Sequence, residues 1–356
     1  MNVLLNKPET EKLKKLIGIR NDNFKILDIY AEYLNNCPTL VKNELISEIV
    51  EECHVSEETA FVSILSAACG FDTEENRDDR DFEARYFVPS VNKALASEYE
   101  SNAYLRNVKL PSVKQNGWEF TSLSYKPYEG FICGDIILKD DLTEIPRLGF
   151  FNCEYRFPAV LQDGREWMAV KPNEIETMRE PLELVNGKVL TLGLGLGYFT
   201  YMASDKENVS EITVIEKDET VIELFKRYVL PQFANKDKVS IVCADAFEYV
   251  ENNLKDGRYD FVFADTWHDV SDGFPMYLRL KRAEKRFKTT KFLYWIEKSL
   301  LSHLRWLIFD ELAETVLLNT AQDGKGEPIR DFNGVKCFLS DESLKELAKN
   351  IRRVDG

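Results

Sequence analysis

Three hydrophobic textures succeed one another along this chain, and each predicts a different kind of element. Up to about residue 110 the apolar positions recur at helical spacing. Residues 11–17 and 24–34 predict two helices, the second stopping before Cys37 and Pro38. Leu40, Val41, Leu45, Ile46, Ile49 and Val50 make one apolar face behind a Thr39 cap. Phe61, Ile64 and Leu65 make another, between a Ser56 cap and Gly70. A further helix is predicted over residues 91–105. The acidic run at 72–83 reads as a solvated loop.

From about residue 111 the pattern shortens to strand-like segments at 118–125, 130–138 and 148–157, separated by Pro, Gly and Asp. Residues 159–170 read as a hairpin turning at Asp163 and Gly164, and 172–181 as a short helix. Beyond residue 187 the texture changes again. Continuous apolar runs at 189–192, 211–216, 239–243 and 259–264 alternate with helical segments. Strands buried on both faces look like this, and the alternation predicts right-handed βαβ units. The expected fold is therefore α/β: a doubly wound, Rossmann-like, mostly parallel sheet (187–356), a helical N-terminal domain (1–110) and a small β-rich connecting unit (111–186). After residue 269 a strand is expected at 292–296. A helix over 299–318 carries Leu300, Leu301, Leu304, Leu307, Ile308 and Leu312 as its stripe. A last strand is expected over 334–339, then a helix to the end.

The first strand of the alternating region runs into Gly193, Gly195 and Gly197. Glycines there admit positive φ and leave no side chain between the turn and a ligand. The following helix points its free N–H groups at the same place. Three acids end the next three runs: Glu216, Asp245 and Asp265. Ligands of doubly wound sheets bind at these carboxyl ends, and an acid about 20 residues past the glycines accepts bonds from ribose hydroxyls. Glu216 lies 19 residues past Gly197. A nicotinamide dehydrogenase is disfavoured because Tyr198 stands where the third glycine of that fingerprint packs helix on strand.

Composition narrows the setting. Hydrophobic residues make up 44% of the 356, enough for a sizeable core. A formal net charge of −15, from 46 basic and 61 acidic residues, argues against a general polyanion-binding surface. The basic stretch at 279–291 is the one place where nucleic acid or an anionic substrate could be held, although a solvated helix face explains it as well. Seven scattered cysteines without a C-x-x-C point to buried thiols in a reducing compartment, not to a disulfide framework or zinc site. With no secretory leader and no apolar run of membrane length, a cytoplasmic protein without membrane contact is expected. No metal is expected either.

The arrangement of these residues resembles the class I S-adenosylmethionine-dependent methyltransferase superfamily over roughly residues 170–270. The resemblance implies that Gly193, Gly195 and Gly197 form the loop around S-adenosylmethionine, that Glu216 holds its ribose, and that Asp245 and Ala246 lie beside its adenine. Asp265 implies contact with the cofactor's amino group or the substrate. Two departures stand out: Thr191 occupies a position where many members carry an acid, and residues 288–291 replace the usual Pro-Gly-Gly turn. The segment from Ile212 to Leu224 looks much like its counterpart in spermidine-synthase-like members.

Asp265 and His268 are the candidate catalytic pair, one orienting and the other a base. Methyl transfer from a sulfonium needs alignment more than acid–base help, and a carboxylate can take the nucleophile's proton. The first expectation is a methyltransferase acting on a small molecule or protein. The alternatives are an aminopropyltransferase, which needs acids to grip a polyamine, and a non-catalytic module that keeps the fold. No residue pattern specifies an oligomeric state.

Overall fold

In the computed structural model, which describes residues 3–4, 7–322, 327–328 and 337–351, the apolar runs past residue 187 become one parallel sheet. We number the main elements in chain order. The connecting unit holds β1 (Val113–Gln115), β2 (Trp118–Tyr125), β3 (Tyr155–Gln162) and β4 (Arg165–Ala169). The parallel sheet holds β5 (Gly187–Leu192), β6 (Val209–Glu216), β7 (Val239–Cys243), β8 (Phe261–Ala264) and β9 (Lys291–Tyr294). Its order is β7-β6-β5-β8-β9. Strand β5 lies at the centre, paired on both sides, and its Val189, Leu190 and Leu192 are fully buried. Edge strand β7 pairs on one side only, and its Val242 is exposed. The chain is a mixed α/β protein with a Rossmann-like sheet and a helical N-terminal region.

The connecting unit is an antiparallel sheet in the order β4-β3-β2-β1. The β3–β4 hairpin turns at Asp163 and Gly164, with φ of 50° and 81°, the positive values a tight two-residue hairpin requires. Past Glu166 the β3–β4 register shifts, and such a bulge re-aims the side chains beyond it.

Several local expectations are corrected. Residues 11–34 lie in one helix, α1 (Lys7–Asn36), not two. Its polar stretch around residue 20 stays helical because Asn23 is buried and fully used. Its amide donates to the Leu142 carbonyl, and its Oδ1 accepts from the Tyr86 hydroxyl and the Glu144 N–H. Helices α2 (Asn43–Cys53) and α3 (Glu57–Ala68) follow, and Ser56 caps α3 as expected. The acidic run is not all loop. Asn76 caps a helix over Arg77–Phe82, which buries Phe82 and leads into a π-turn burying Tyr86 and Phe87. Residues 91–105 are not one helix. Val91–Lys93 pairs as a strand with Leu148–Phe150, and short helices cover Ala96–Glu100 and Ala103–Asn107.

Helix α4 (Tyr198–Ser204) follows the glycines, and α5 (Val270–Glu284) follows β8. Helix α6 (Glu297–Gln322) buries Leu300, Leu301 and Leu304 as expected, but Leu307 is exposed while Trp306 and Phe309 are buried. Of the expected last strand, residues 334–336 lie outside the described residues, and Cys337 and Phe338 are helical. Helix α7 (Asp341–Ala348) closes the chain.

One hydrophobic core runs from Tyr99 to Ala348 and unites the connecting sheet with the parallel sheet. A second packs the N-terminal helices around Val91, Tyr128, Leu148 and Phe150. A third joins Leu13, Leu16 and Ile19 of α1 to Trp306 and Phe309 of α6. Arg305 is fully buried beside it, paired with Glu144 and Asp341 and donating to the Leu339 carbonyl. Among the described residues no helix is long and apolar enough to cross a membrane.

Candidate active site

The glycine turn is built by close approach. Gly193 has φ of 94°, and a Cβ there would lie 2.0 Å from the Asp265 carbonyl oxygen. This contact sets the end of β5 directly against the end of β8. At Gly195 (φ 49°) a Cβ would meet the Met168 sulfur at 1.9 Å, and at Gly197 (φ 73°) the Phe225 ring at 2.3 Å. Only glycine tolerates both the dihedrals and the crowding.

Glu216 ends β6 and fastens the turn. Its Oε2 accepts from the Leu194 N–H at 3.2 Å, and its Oε1 from the Lys217 and Asp218 N–H groups. The Ala244 N–H donates to the Glu216 carbonyl, which draws in the next strand end. There Asp245 is a helix cap: its Oδ1 accepts from the Phe247 and Glu248 N–H groups, with Ala246 half-buried beside it. The structure thus brings together Gly193, Gly195, Gly197, Glu216 and Asp265, with Asp245 and Ala246 one strand further out.

The side chain that the strand-end reading missed is Glu174. It lies in the first turn of the Pro172–Thr177 helix and is buried. Burial pushes its carboxyl up to about 8; the Asp265 charge and Glu166 add to this, and Lys171 opposes it. Burial likewise pushes Asp265 up to about 7, with His268 working the other way. Two carboxyls in one poorly solvated place do not both ionise easily, and their titrations belong to the pair. Both carboxyls are therefore harder to ionise than ordinary ones.

Glu174 left little signal in the sequence. An acid in the first turn of a helix is the ordinary partner of the helix dipole, and only tertiary effects, its burial and the nearby Asp265 charge, make it unusual. Met168 and Trp167 were missed for the same reason. The Met168 sulfur accepts the Leu196 N–H at 3.1 Å, so the connecting unit closes over the glycine turn. Trp167 is exposed at the rim, edge-on to Trp118 and to His268, with ring centres 5.4 and 4.5 Å away.

His268 does not join the acid pair by a hydrogen bond. It is exposed, and its Nδ1 lies 2.9 Å from Asp272 Oδ2. Asp272 and Asp269 form the capping box of α5. His268 is therefore held by the helix start, with its ring edge-on to Trp167. Of the six buried side-chain polar atoms without a partner among the described residues, three lie here: the hydroxyls of Thr191 and Thr266 and the indole nitrogen of Trp267. Thr191 is on β5 and the other two follow Asp265, so unmet hydrogen-bonding capacity gathers beside the turn. Glycines without side chains, an acid with free lone pairs at Glu216 and these orphaned donors fit a nucleoside sulfonium.

The basic stretch is largely spent inside the protein. Arg279 chelates Glu251, Arg286 donates to the Val250 and Glu251 carbonyls, and Lys281 is buried against Glu284.

Residues 180–283 match the family described as spermine/spermidine synthase domain. The matched stretch is under a third of the chain and includes the glycine turn, Glu216, Asp245 and Asp265. Solved structures similar in part include a spermidine synthase in complex with the transition-state analogue AdoDATO. It shares 20% identity with a TM-score of 0.32, over 39% of this chain and 54% of that one. A spermidine synthase from Thermotoga maritima shares 18% with a TM-score of 0.29, over 46% and 60%. A putative O-methyltransferase from Klebsiella pneumoniae shares 17% with a TM-score of 0.24, over 31% and 46%. The chain thus spans little more than half the length of these spermidine synthases. No curated protein sequence matches it.

Proposed function

We propose that this chain is an aminopropyltransferase: it moves the aminopropyl group of decarboxylated S-adenosylmethionine onto an amine. The carrying observation is the strand end where the Asp265 carbonyl meets Gly193, with half-buried Asp265 and buried Glu174 acting on each other electrostatically there. An amine acceptor arrives mostly as an ammonium and must lose a proton before it can attack. Asp265 takes that proton, and the Glu174 carboxyl, the harder of the two to ionise, accepts a hydrogen bond from the acceptor through its carbonyl oxygen. The amine lone pair then forms a bond to the carbon next to sulfur. The carbon–sulfur bond breaks, its electrons stay on sulfur, and 5′-methylthioadenosine leaves as a neutral thioether. Glu216 holds the ribose, Asp245 and Ala246 border the base, and the turn approaches the sulfonium. His268 tunes Asp265 from the rim.

The methyltransferase reading shares this fold and the sulfonium, yet the surroundings favour the decarboxylated donor. A donor carboxylate would meet Glu174 and Asp265, since Lys171 is already paired with Glu166, while the Leu194 and Leu196 N–H groups already serve Glu216 and Met168. The match to the spermine/spermidine synthase domain over residues 180–283, which holds the glycine turn and Asp265, supports this choice.

The test is product analysis with either donor and a diamine. Aminopropyl transfer gives 5′-methylthioadenosine and a longer amine from the decarboxylated donor alone. S-adenosylhomocysteine formed from S-adenosylmethionine would restore the methyltransferase reading. No turnover and no nucleoside binding would leave the non-catalytic module.

A further inference from the structure

A cleft of about 370 Å³ lies between the Ala103–Asn107 helix and strands β2 and β3, and no residue of the acid pair or the glycine turn lines it. Leu105, Leu110 and Phe157 give it apolar walls. Three cations border it, Arg106, Lys109 and Arg156, against one acid, Glu100. On a chain of net charge −15 this is a local reversal of field. Lys109 donates to the Leu105 carbonyl and Arg156 to the exposed Glu154. Both contacts are on the surface and exchange readily with a ligand. Arg106 has no partner among the described residues.

The second observation is Tyr155. It is 2% exposed, borders the cleft, and carries a hydroxyl with no hydrogen-bond partner. Burial raises that hydroxyl far above its ordinary range, the Glu100 charge adds to this, and it remains a donor. Buried donors are seldom left unused, and such an orphan beside a cationic cleft calls for an acceptor. We propose that the cleft binds a small organic anion, a carboxylate or phosphate head on an apolar body, with the head taken by Arg106 and the Tyr155 hydroxyl. The body lies on Leu105, Leu110 and Phe157, where burial of a ring is favourable.

Calorimetry on the whole protein tests this with benzoate and phenyl phosphate as probes, and with benzamide and benzylamine as neutral and cationic controls. One or both anions should bind saturably and the controls should not; the preferred anion identifies the head group. Arg106→Gln should weaken binding about tenfold and Tyr155→Phe about fivefold. Glu100→Gln should tighten it. Tyr155→Phe should also leave the melting temperature of the unbound protein unchanged or raised, because the lost hydroxyl has no partner. Absence of saturable heat with both anions overturns the proposal. Equal binding of benzamide, or unchanged affinity in both the Arg106 and Tyr155 variants, overturns it too. These heats do not depend on the aminopropyl reading, so either conclusion can fail without the other.

Discussion

Asp265 and Glu174 are carboxyls that folding makes harder to ionise. Both fold to values above their unfolded ones, so between about pH 4 and pH 8 the folded chain binds more protons than the unfolded chain. Stability contributed by the pair therefore falls as pH rises through that window. Glu174→Gln removes part of the slope: the variant should melt higher than the parent at pH 8, and the two should converge near pH 4.5. Melting curves at several pH values check this, and a constant gap would make Glu174 an ordinary buried acid. Turnover should climb with pH through about 7 as Asp265 loses its proton, and Asp265→Asn should abolish it. Gly193 makes the complementary point about backbone. Gly193→Ala must give up φ of 94° and push back the Asp265 carbonyl. The strain should cost at least about 1–3 kcal/mol in denaturant unfolding, and nucleoside binding should be lost with it because Asp265 moves too.

Elements legible in the sequence were those whose local pattern and tertiary fate agree. The runs that became β5, β6 and β8 are apolar and buried on both faces, and the three glycines and Glu216 sit at their ends because topology leaves them nowhere else. Helix α1 reads as two because residues 20–23 are all polar, and only the distant partners of Asn23, Leu142, Tyr86 and Glu144, make that stretch interior. Residues 77–87 hide apolar turns under acidic faces. Glu174 and Asp265 lie on different elements far apart in sequence, so no spacing rule relates them. Arg305 is the strongest such case: a full charge within a helix stripe, neutralised by Glu144 and Asp341 from two other elements. Arg305→Met should leave both acids unpaired, and Glu144 is 2% exposed. The loss should be about 3–5 kcal/mol, read as a lower urea midpoint at unchanged slope. Adding Glu144→Gln should recover part of it; no recovery would mean Arg305 acts through packing alone.

At the scale of the molecule, the site and the anion cleft share a support. The Ala103–Asn107 helix puts Arg106 on the cleft, while its Tyr104 hydroxyl donates to the Leu196 carbonyl at 2.6 Å, inside the glycine turn. On either side, Asn102 and Asn107 donate to the hydroxyls of Tyr198 and Tyr201 on α4. A ligand that shifts this helix must shift the turn. Saturating benzoate should change the Kd for 5′-methylthioadenosine about fivefold or more, and the nucleoside should change the benzoate Kd by the same factor, since binding couplings are reciprocal. Tyr104→Phe cuts the direct tie. It should weaken nucleoside binding about fivefold, the worth of one buried hydrogen bond, and should shrink the coupling while benzoate still binds to the unliganded protein as before. Titrations of each ligand with and without the other decide it. A factor of one in the parent protein, with both ligands bound, would show that the helix holds the turn in place without transmitting anything to it.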